Sequence, residues 1–165
     1  MEKNNLIKIQ GDLIKHTENA LNITTKLLSI NPSQAKILYL DDHILYYYGT
    51  LNCIVKKFPN ADVKHIQNGD EALKYVINCL TKKVALDLII TDIAHSGING
   101  IDFANAVRSN EIVSRHKIPI LFITMNSDKS LIGRIKKIPL VKFLSKTAPC
   151  EEINFAIETL IYPKL

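Results

Sequence analysis

The chain has 165 residues, of which 47% are hydrophobic and 22% charged, with only 6 glycines and 6 prolines. This length suits one domain with a short appendage, and the composition supports a buried core, so disorder and low complexity are excluded. No apolar run approaches the roughly 18 residues of a membrane-spanning helix, and the N-terminus lacks the uninterrupted apolar core of a secretory signal. The formal net charge of +5 leaves nucleic acid, a membrane surface and an acidic protein open as partners.

The three cysteines, Cys53, Cys79 and Cys150, are widely spaced and include no C-x-x-C pair. An odd number of cysteines at such spacings predicts neither a disulfide framework nor a zinc site. A cytoplasmic location, where the environment is reducing, therefore fits best.

The first 30 residues carry apolar side chains at three- and four-residue spacing, which predicts a long amphipathic helix over residues 4–30. Pro32 ends this helix, because proline lacks the N–H of the helical ladder. We therefore expect residues 1–34 to form a helix and linker, and residues 35–165 to form the main domain. An apolar stripe of this length is expected to pack against another apolar surface. The helix packs either on its own domain or on a second chain, and we favour a homodimer.

From Lys36 onward, short apolar segments alternate with stretches of helical spacing. The pattern predicts strands at 36–40, 62–66, 86–90, 118–123 and 140–144, and helices at about 44–58, 69–81, 100–113, 128–137 and 150–162. Five βα repeats of this kind predict an α/β fold, in which helices cover both faces of a parallel sheet.

Polar side chains stand at the ends of four predicted strands. Ligands of an open α/β sheet bind beyond the carboxyl ends of its strands, so we expect these side chains to meet at one edge. Taken singly, each has an ordinary structural interpretation, such as a helix N-cap or a solvated surface residue. Their joint occurrence favours a functional site. The residues are Asp41 and Asp42 after the first strand, Asp92 after the third, Thr124 ending the fourth, and Lys146 after the fifth.

The chemistry of this set points to phosphoryl transfer. Three clustered carboxylates repel one another unless a cation joins them, and Mg2+ prefers oxygen ligands of this type. A carboxylate beside that ion can attack a phosphoryl group and form an acyl phosphate. A hydroxyl and an ammonium would then share the charge on the phosphoryl oxygens.

Over residues 36–162 the sequence resembles the receiver domains of response regulators in two-component signalling, including the chemotaxis regulators. Five segments carry the resemblance, in the expected order. They are ILYLDDH at 37–43, QNGDEAL at 67–73, LIITDIAHSGINGIDF at 88–103, LFIT at 121–124 and KFLSK at 142–146. The resemblance implies a flavodoxin-like, doubly wound sheet of five parallel strands in the order 2-1-3-4-5.

The same resemblance implies a phosphoacceptor and its metal site. Asp92 would receive the phosphoryl group from a histidine kinase or a histidine phosphotransfer protein. Asp41, Asp42 and Asp92 would hold Mg2+ together with the backbone carbonyl of Ala94. Such a domain is a signalling switch rather than an enzyme, because it catalyses at most its own phosphorylation and dephosphorylation.

The resemblance also implies a switch. Thr124 would contact the phosphoryl group, Lys146 would pair with it, and Phe143 would be the aromatic switch residue. Phosphorylation would then remodel a surface formed by the fourth helix, the fifth strand and the fifth helix, where a downstream protein binds. Physically, a new charge would bias a two-state element.

The sequence departs from the pattern of the family in the loop after Asp92, at residues 94–96, and at two further positions. Met125 stands where a small residue normally follows the threonine, and Thr147 stands where a proline normally follows the lysine. They favour an alternative, a phosphorylation-independent pseudo-receiver that acts as an interaction or dimerisation module. Since every chemical group of the site is present, we favour the phosphorylatable receiver.

The basic charge is confined to one segment. Residues 126–148 hold six basic residues and one acidic residue, Asp128, which accounts for the whole net charge of +5. A nucleic-acid footprint spread over the protein therefore loses its support. The segment includes the expected output surface, so we favour an acidic protein partner there. The six residues are Lys129, Arg134, Lys136, Lys137, Lys142 and Lys146.

Overall fold

The computed structural model describes Lys15, Thr17 and residues 34–114 and 117–162. Apart from Lys15 and Thr17, the helix predicted over residues 4–30 lies outside the described residues, and the homodimer it would form stays a prediction. The chain divides into two units, Met1–Asn31 and Pro32–Leu165. Within the described residues, no helix is long and apolar enough to cross a membrane.

The described part of the second unit alternates strands and helices. The strands are β1 (Lys36–Leu40), β2 (Asp62–Ile66), β3 (Leu88–Thr91), β4 (Ile120–Thr124) and β5 (Val141–Ser145). The helices are α1 (Ile44–Lys57), α2 (Gly69–Lys82), α3 (Gly100–Ser114), α4 (Lys129–Ile135) and α5 (Cys150–Ile161).

The described strands form one parallel sheet in the order β2-β1-β3-β4-β5, which confirms the predicted flavodoxin-like fold. The central strands β3 and β4 are buried along their whole length, and β1 is buried after its first residue. Their continuous apolar runs suit strands that helices cover on both faces. Residues 141–144 of the edge strand β5 are only partly buried, so the core lies under the centre of the sheet.

Three predicted strands are displaced along the sequence. β3 begins at Leu88 rather than at Leu86, and β4 begins at Ile120 rather than at Ile118. β5 begins at Val141, one residue later than predicted. Leu86 and Ile118 are nonetheless 2% and 0% exposed, because they enter the core before strand pairing begins. Hydrophobicity alone does not separate such residues from the strand that follows them.

A disulfide joins Cys53 in α1 to Cys150 at the start of α5, whereas Cys79 is free and buried. Cysteine spacing, which predicts no disulfide framework, therefore missed this pair. The two residues are 97 positions apart in the sequence, yet their Cα atoms lie 5.1 Å apart. They meet because α1 and α5 pack against each other, and such packing leaves no trace in cysteine spacing.

Candidate functional site at the carboxyl ends of the strands

Three of the predicted site residues meet at the carboxyl edge of the sheet. The Nζ of Lys146 lies 2.7 Å from Asp41 Oδ2 and 2.6 Å from Asp92 Oδ2. The three side chains are 2%, 1% and 7% exposed, respectively. The register explains the meeting, because Leu40 pairs with Thr91 and the next residue of each strand is the carboxylate.

Two opposing effects act on the lysine of this cluster. Burial lowers the pKa of Lys146, but its hydrogen bonds to Asp41 and Asp92 outweigh burial, so its pKa lies above the ordinary value. Its backbone N–H donates to the carbonyl of Thr124 at 3.0 Å, which continues the pairing of β4 with β5 past the end of the strands. The cluster therefore contains a charged ammonium at a fixed position.

Asp42 lies at the edge of the cluster and is more exposed, at 33% of its side chain. Its Oδ2 accepts a hydrogen bond from the Ser96 N–H at 3.0 Å, and its Oδ1 lies 2.8 Å from His43 Nδ1. Asp42 does not cap α1, because His43 holds the N-cap position and no side chain bonds to the free N–H groups there. The ordinary alternative for Asp42, a helix N-cap, is therefore excluded.

Asp41, Asp42 and His43 offer ligand atoms that all lie within 4.8 Å of one another. His43 was not among the predicted metal ligands, because its neighbours in this group are carboxylates and not a second histidine at ligand spacing.

The loop after β3 is built tightly around Asp92. The Ile93 N–H donates to Asp92 Oδ1 at 2.6 Å and fixes the carboxylate. The Gly100 N–H donates to the Ile93 carbonyl, and a Cβ on Gly100 would come within 2.0 Å of the Asp92 carbonyl oxygen. Gly97 has a φ of +77°, a conformation that favours glycine. Ala94 lies exposed in the same loop.

Thr124 is 3% exposed and ends β4 beside this cluster. Its Oγ1 accepts a hydrogen bond from the Asn126 N–H at 3.2 Å. The following residue, Met125, is 55% exposed. The peptide bonds of the described residues are all trans, including the one from Lys146 to Thr147.

Two of the three consecutive tyrosines at the start of α1 contact this region. The Nζ of Lys146 lies 4.2 Å from the centre of the Tyr46 ring, a cation–π contact that covers the ammonium. Tyr47 stacks on His65 with ring centres 4.0 Å apart. Tyr48 is 59% exposed. Tyr46 therefore borders the strand-end cluster, whereas Tyr47 packs on His65.

A groove of about 880 Å³ runs along β5. Phe143 lies there opposite Phe122 of β4 and packs partly against the core. Phe155 is 60% exposed and has the Lys142 Nζ 5.6 Å from its ring centre. We call this the β5 groove, and its lining includes Lys136, Leu140, Lys142, Phe143, Phe155 and Thr159.

The described geometry agrees with a match of the sequence to a protein family. The family model of the response regulator receiver domain matches residues 37–158. The chain belongs to the response regulator receiver family. The matched range includes the whole site, from Asp41 to Lys146, and receiver domains are signalling domains.

One curated protein is similar in sequence over most of this chain. This receiver domain is 29% identical over 126 residues to the glycerol metabolism activator of Pseudomonas putida, a match that covers 76% of this chain and 53% of that protein. The chain thus spans about half the length of this curated relative.

Solved structures establish the fold independently. The chemotaxis response regulator CheY4 of Vibrio cholerae is similar with a TM-score of 0.60 and 23% identity, over 77% of this chain and 98% of that one. The receiver domain of the histidine kinase CKI1 from Arabidopsis thaliana, complexed with Mg2+ and BeF3-, is similar with a TM-score of 0.66 and 20% identity, over 76% and 89%.

The acidic edge of this receiver domain fits a hard divalent cation. Asp41, Asp42 and Asp92 bring three carboxylates to one edge, and Lys146 is the cation that pairs with two of them. The ionised forms of these four side chains have a net charge of −2, which one divalent cation would neutralise. Carboxylate oxygens are also the donors that Mg2+ prefers.

Proposed function

We propose that this receiver domain accepts a phosphoryl group on Asp92, with Mg2+ bound, from a histidine kinase or a histidine phosphotransfer protein in the cytoplasm. The observation that carries the proposal is the position of the Asp92 carboxylate, buried at the end of β3 and 2.6 Å from the Lys146 ammonium. One carboxylate oxygen accepts from the Ile93 N–H and the other faces the ammonium. The carboxylate is thereby held as a nucleophile beside a cation that suits an incoming phosphoryl group.

In the transfer, an Asp92 oxygen forms a bond to phosphorus while the bond from phosphorus to the donor imidazole nitrogen breaks. The electron pair of that bond stays on the nitrogen. The Lys146 ammonium and the Thr124 hydroxyl, which lie at neighbouring strand ends, would pair with the phosphoryl oxygens. The chain would catalyse at most its own phosphorylation and dephosphorylation.

Asp41, Asp42, Asp92 and the Ala94 carbonyl would hold the metal ion. When bound, Mg2+ supplies positive charge that the phosphoryl oxygens need. The residues of the chain contribute the fixed geometry, because Asp41 accepts from the His43 N–H at 2.9 Å and Asp42 accepts from a backbone N–H on the loop after β3.

The start of α1 offers the phosphodonor a surface beside the site. Ile44, Leu45 and Tyr48 are 41%, 82% and 59% exposed, and they follow directly on the carboxylates of β1. Exposed apolar side chains grouped in this way are typical of a protein docking surface. The donor protein would dock there and bring its phosphohistidine to Asp92.

The downstream protein would bind at the β5 groove. A phosphoryl group adds negative charge next to Lys146 and Thr124, which flank the end of β5. Phe143 is only partly buried and therefore changes position at a smaller cost than a core residue. Since Lys136 and Lys142 line the groove and Lys137 is exposed at its end, the partner would be an acidic protein.

Intact-mass measurement after incubation with acetyl phosphate and Mg2+ tests the phosphoacceptor. We expect one adduct of about 80 Da on the parent chain and none on Asp92→Asn, since the amide is not a nucleophile for phosphorus. Asp102→Asn, at an exposed acid of α3, is the matched control and should keep the adduct. An adduct on Asp92→Asn, or none on the parent chain, would reject the assignment, and the latter result would favour the phosphorylation-independent interaction module.

A further inference from the structure

Cys53 and Cys150 form a cysteine pair that neither the phosphoryl site nor the β5 groove uses. Cys53 is 6% exposed on α1, and Cys150 is partly exposed as the first residue of α5. Their Cα separation of 5.1 Å falls inside the range of about 4.4–6.8 Å that disulfides span. The two sulfur atoms therefore bond while both helices keep their packed positions.

The pair also joins two elements that lead away from the site. α1 begins three residues after Asp41, and Cys150 lies four residues after Lys146. Asp41 and Lys146 are themselves ion-paired at 2.7 Å. A second polar contact links the same two helices, because Asn154 donates to the Cys53 carbonyl at 3.1 Å. A bond between the cysteines therefore fixes α1 to α5 next to the phosphoryl site.

We propose that Cys53 and Cys150 are a thiol–disulfide modification site, oxidised by a small disulfide of the glutathione class, and that the resulting bond locks α1 against α5. In a reducing cytoplasm the pair rests as two thiols, since lasting disulfides are rare there and those that form are mostly transient or redox-sensing. The proposal is independent of any chemistry at Asp92.

The exposure of the two residues sets the order of the exchange. Cys150 is the accessible residue, so its thiolate attacks glutathione disulfide, forms a mixed disulfide and releases one glutathione thiolate. The thiolate of the buried Cys53 then attacks the Cys150 sulfur and releases the second. Two protein thiols and one glutathione disulfide become one protein disulfide and two glutathione thiols, so atoms and electrons balance.

Thiol counting in glutathione buffers of graded ratio tests the site. The native chain is equilibrated, quenched with acid, alkylated under denaturing conditions and weighed intact. We expect the number of alkylated thiols to fall from three to one as the buffer becomes more oxidising, with the remaining label on Cys79. Cys79→Ser should fall from two to zero, whereas Cys53→Ser and Cys150→Ser should form mixed disulfides at most. Three labels at every ratio, a bond to Cys79, or a disulfide that survives the most reducing buffer would overturn the proposal.

The urea midpoint of the oxidised and reduced chains tests the lock. A bond that closes a loop of 97 residues restricts the unfolded chain. We expect oxidation to raise the midpoint by about 1–2 M urea. Cys79→Ser, the matched control, should show the same rise, and Cys150→Ser should show none. An equal midpoint for the two redox states of the parent chain would contradict a lock between α1 and α5.

Discussion

The strand-end cluster of Asp41, Asp92 and Lys146 and the β5 groove belong to one sheet but differ in burial. The two carboxylates and the lysine that pairs with both are at most 7% exposed, whereas Phe143 is partly buried and Phe155 is 60% exposed. A buried charge needs a partner at a fixed distance, but a partly buried ring changes position at low cost. The centre of the sheet thus suits chemistry that requires fixed geometry. Its edge suits a binding surface whose side chains change position when the charge at the strand ends changes.

Phe122 and Phe143 allow the sharpest test of this contrast, because they pair in register on β4 and β5. Phe122 is 0% exposed, so Phe122→Ala should lower the free energy of unfolding by about 3–5 kcal/mol. Phe143→Ala should cost about 1–2 kcal/mol, since only part of its ring leaves the core. Urea denaturation measures both. Equal losses of unfolding free energy for the two variants would contradict the claim that the edge of the sheet is less tightly packed than its centre.

Two lysine–carboxylate pairs provide the second test. Lys146→Gln leaves the buried Asp41 and Asp92 without their cation and should cost about 3–5 kcal/mol of unfolding free energy in the absence of Mg2+. Lys57→Gln removes an exposed pair with Glu158 and should cost less than about 1 kcal/mol.

Addition of Mg2+ should narrow the difference in stability between Lys146→Gln and the parent chain, because a cation again faces the carboxylates. It should leave the difference between Lys57→Gln and the parent chain unchanged, because Mg2+ stabilises both of these chains at the same site. Chemical denaturation with and without Mg2+ checks both statements. If the two variants are equally stable, Lys146 does not hold the site together.

Two glycines test how tightly the backbone at Asp92 is packed. In Gly100→Ala the new Cβ would meet the Asp92 carbonyl oxygen, so the loop must shift, and we expect a loss of about 2 kcal/mol. Gly49→Ala, in α1, meets nothing within 4 Å and should gain up to about 1 kcal/mol from helix propensity. Thermal unfolding separates them, and a Gly100→Ala chain of unchanged stability would show that the loop has room.

The smallest effect concerns charge at the edge of the sheet. Lys136→Glu and Lys137→Glu should each weaken the binding of poly-glutamate to the phosphorylated chain by roughly fivefold, and less at high salt. Lys74→Glu, at an exposed site on α2, is the matched control and should leave binding unchanged. Titration at two salt concentrations measures the affinity for poly-glutamate. An affinity that neither charge reversal nor salt changes would exclude an acidic partner.

The sequence predicts that Asp41, Asp92 and Lys146 meet, because these residues stand directly at the ends of apolar strands. Asp41 and Asp92 follow β1 and β3 without a gap, and the pairing of neighbouring strands then brings them together. Tyr46 over Lys146 and His43 beside Asp42 were not predicted, since side-chain direction at the start of α1 decides both contacts.

The cysteine pair was missed for a related reason. Cys53 and Cys150 meet through the packing of α1 on α5, which is a long-range contact. Cysteine spacing indicates local frameworks and metal sites, so it carries no information about such a contact.

The central claim is that phosphoryl chemistry at Asp92 changes the β5 groove. Amide NMR spectra of the chain with and without Mg2+ and beryllofluoride, which mimics the phosphoryl group, test it most directly. We predict shifts at Asp92, Thr124 and Lys146 and also at Phe143 and Phe155, all of them absent from Asp92→Asn. Shifts confined to the strand ends, or shifts that persist in Asp92→Asn, would contradict the account.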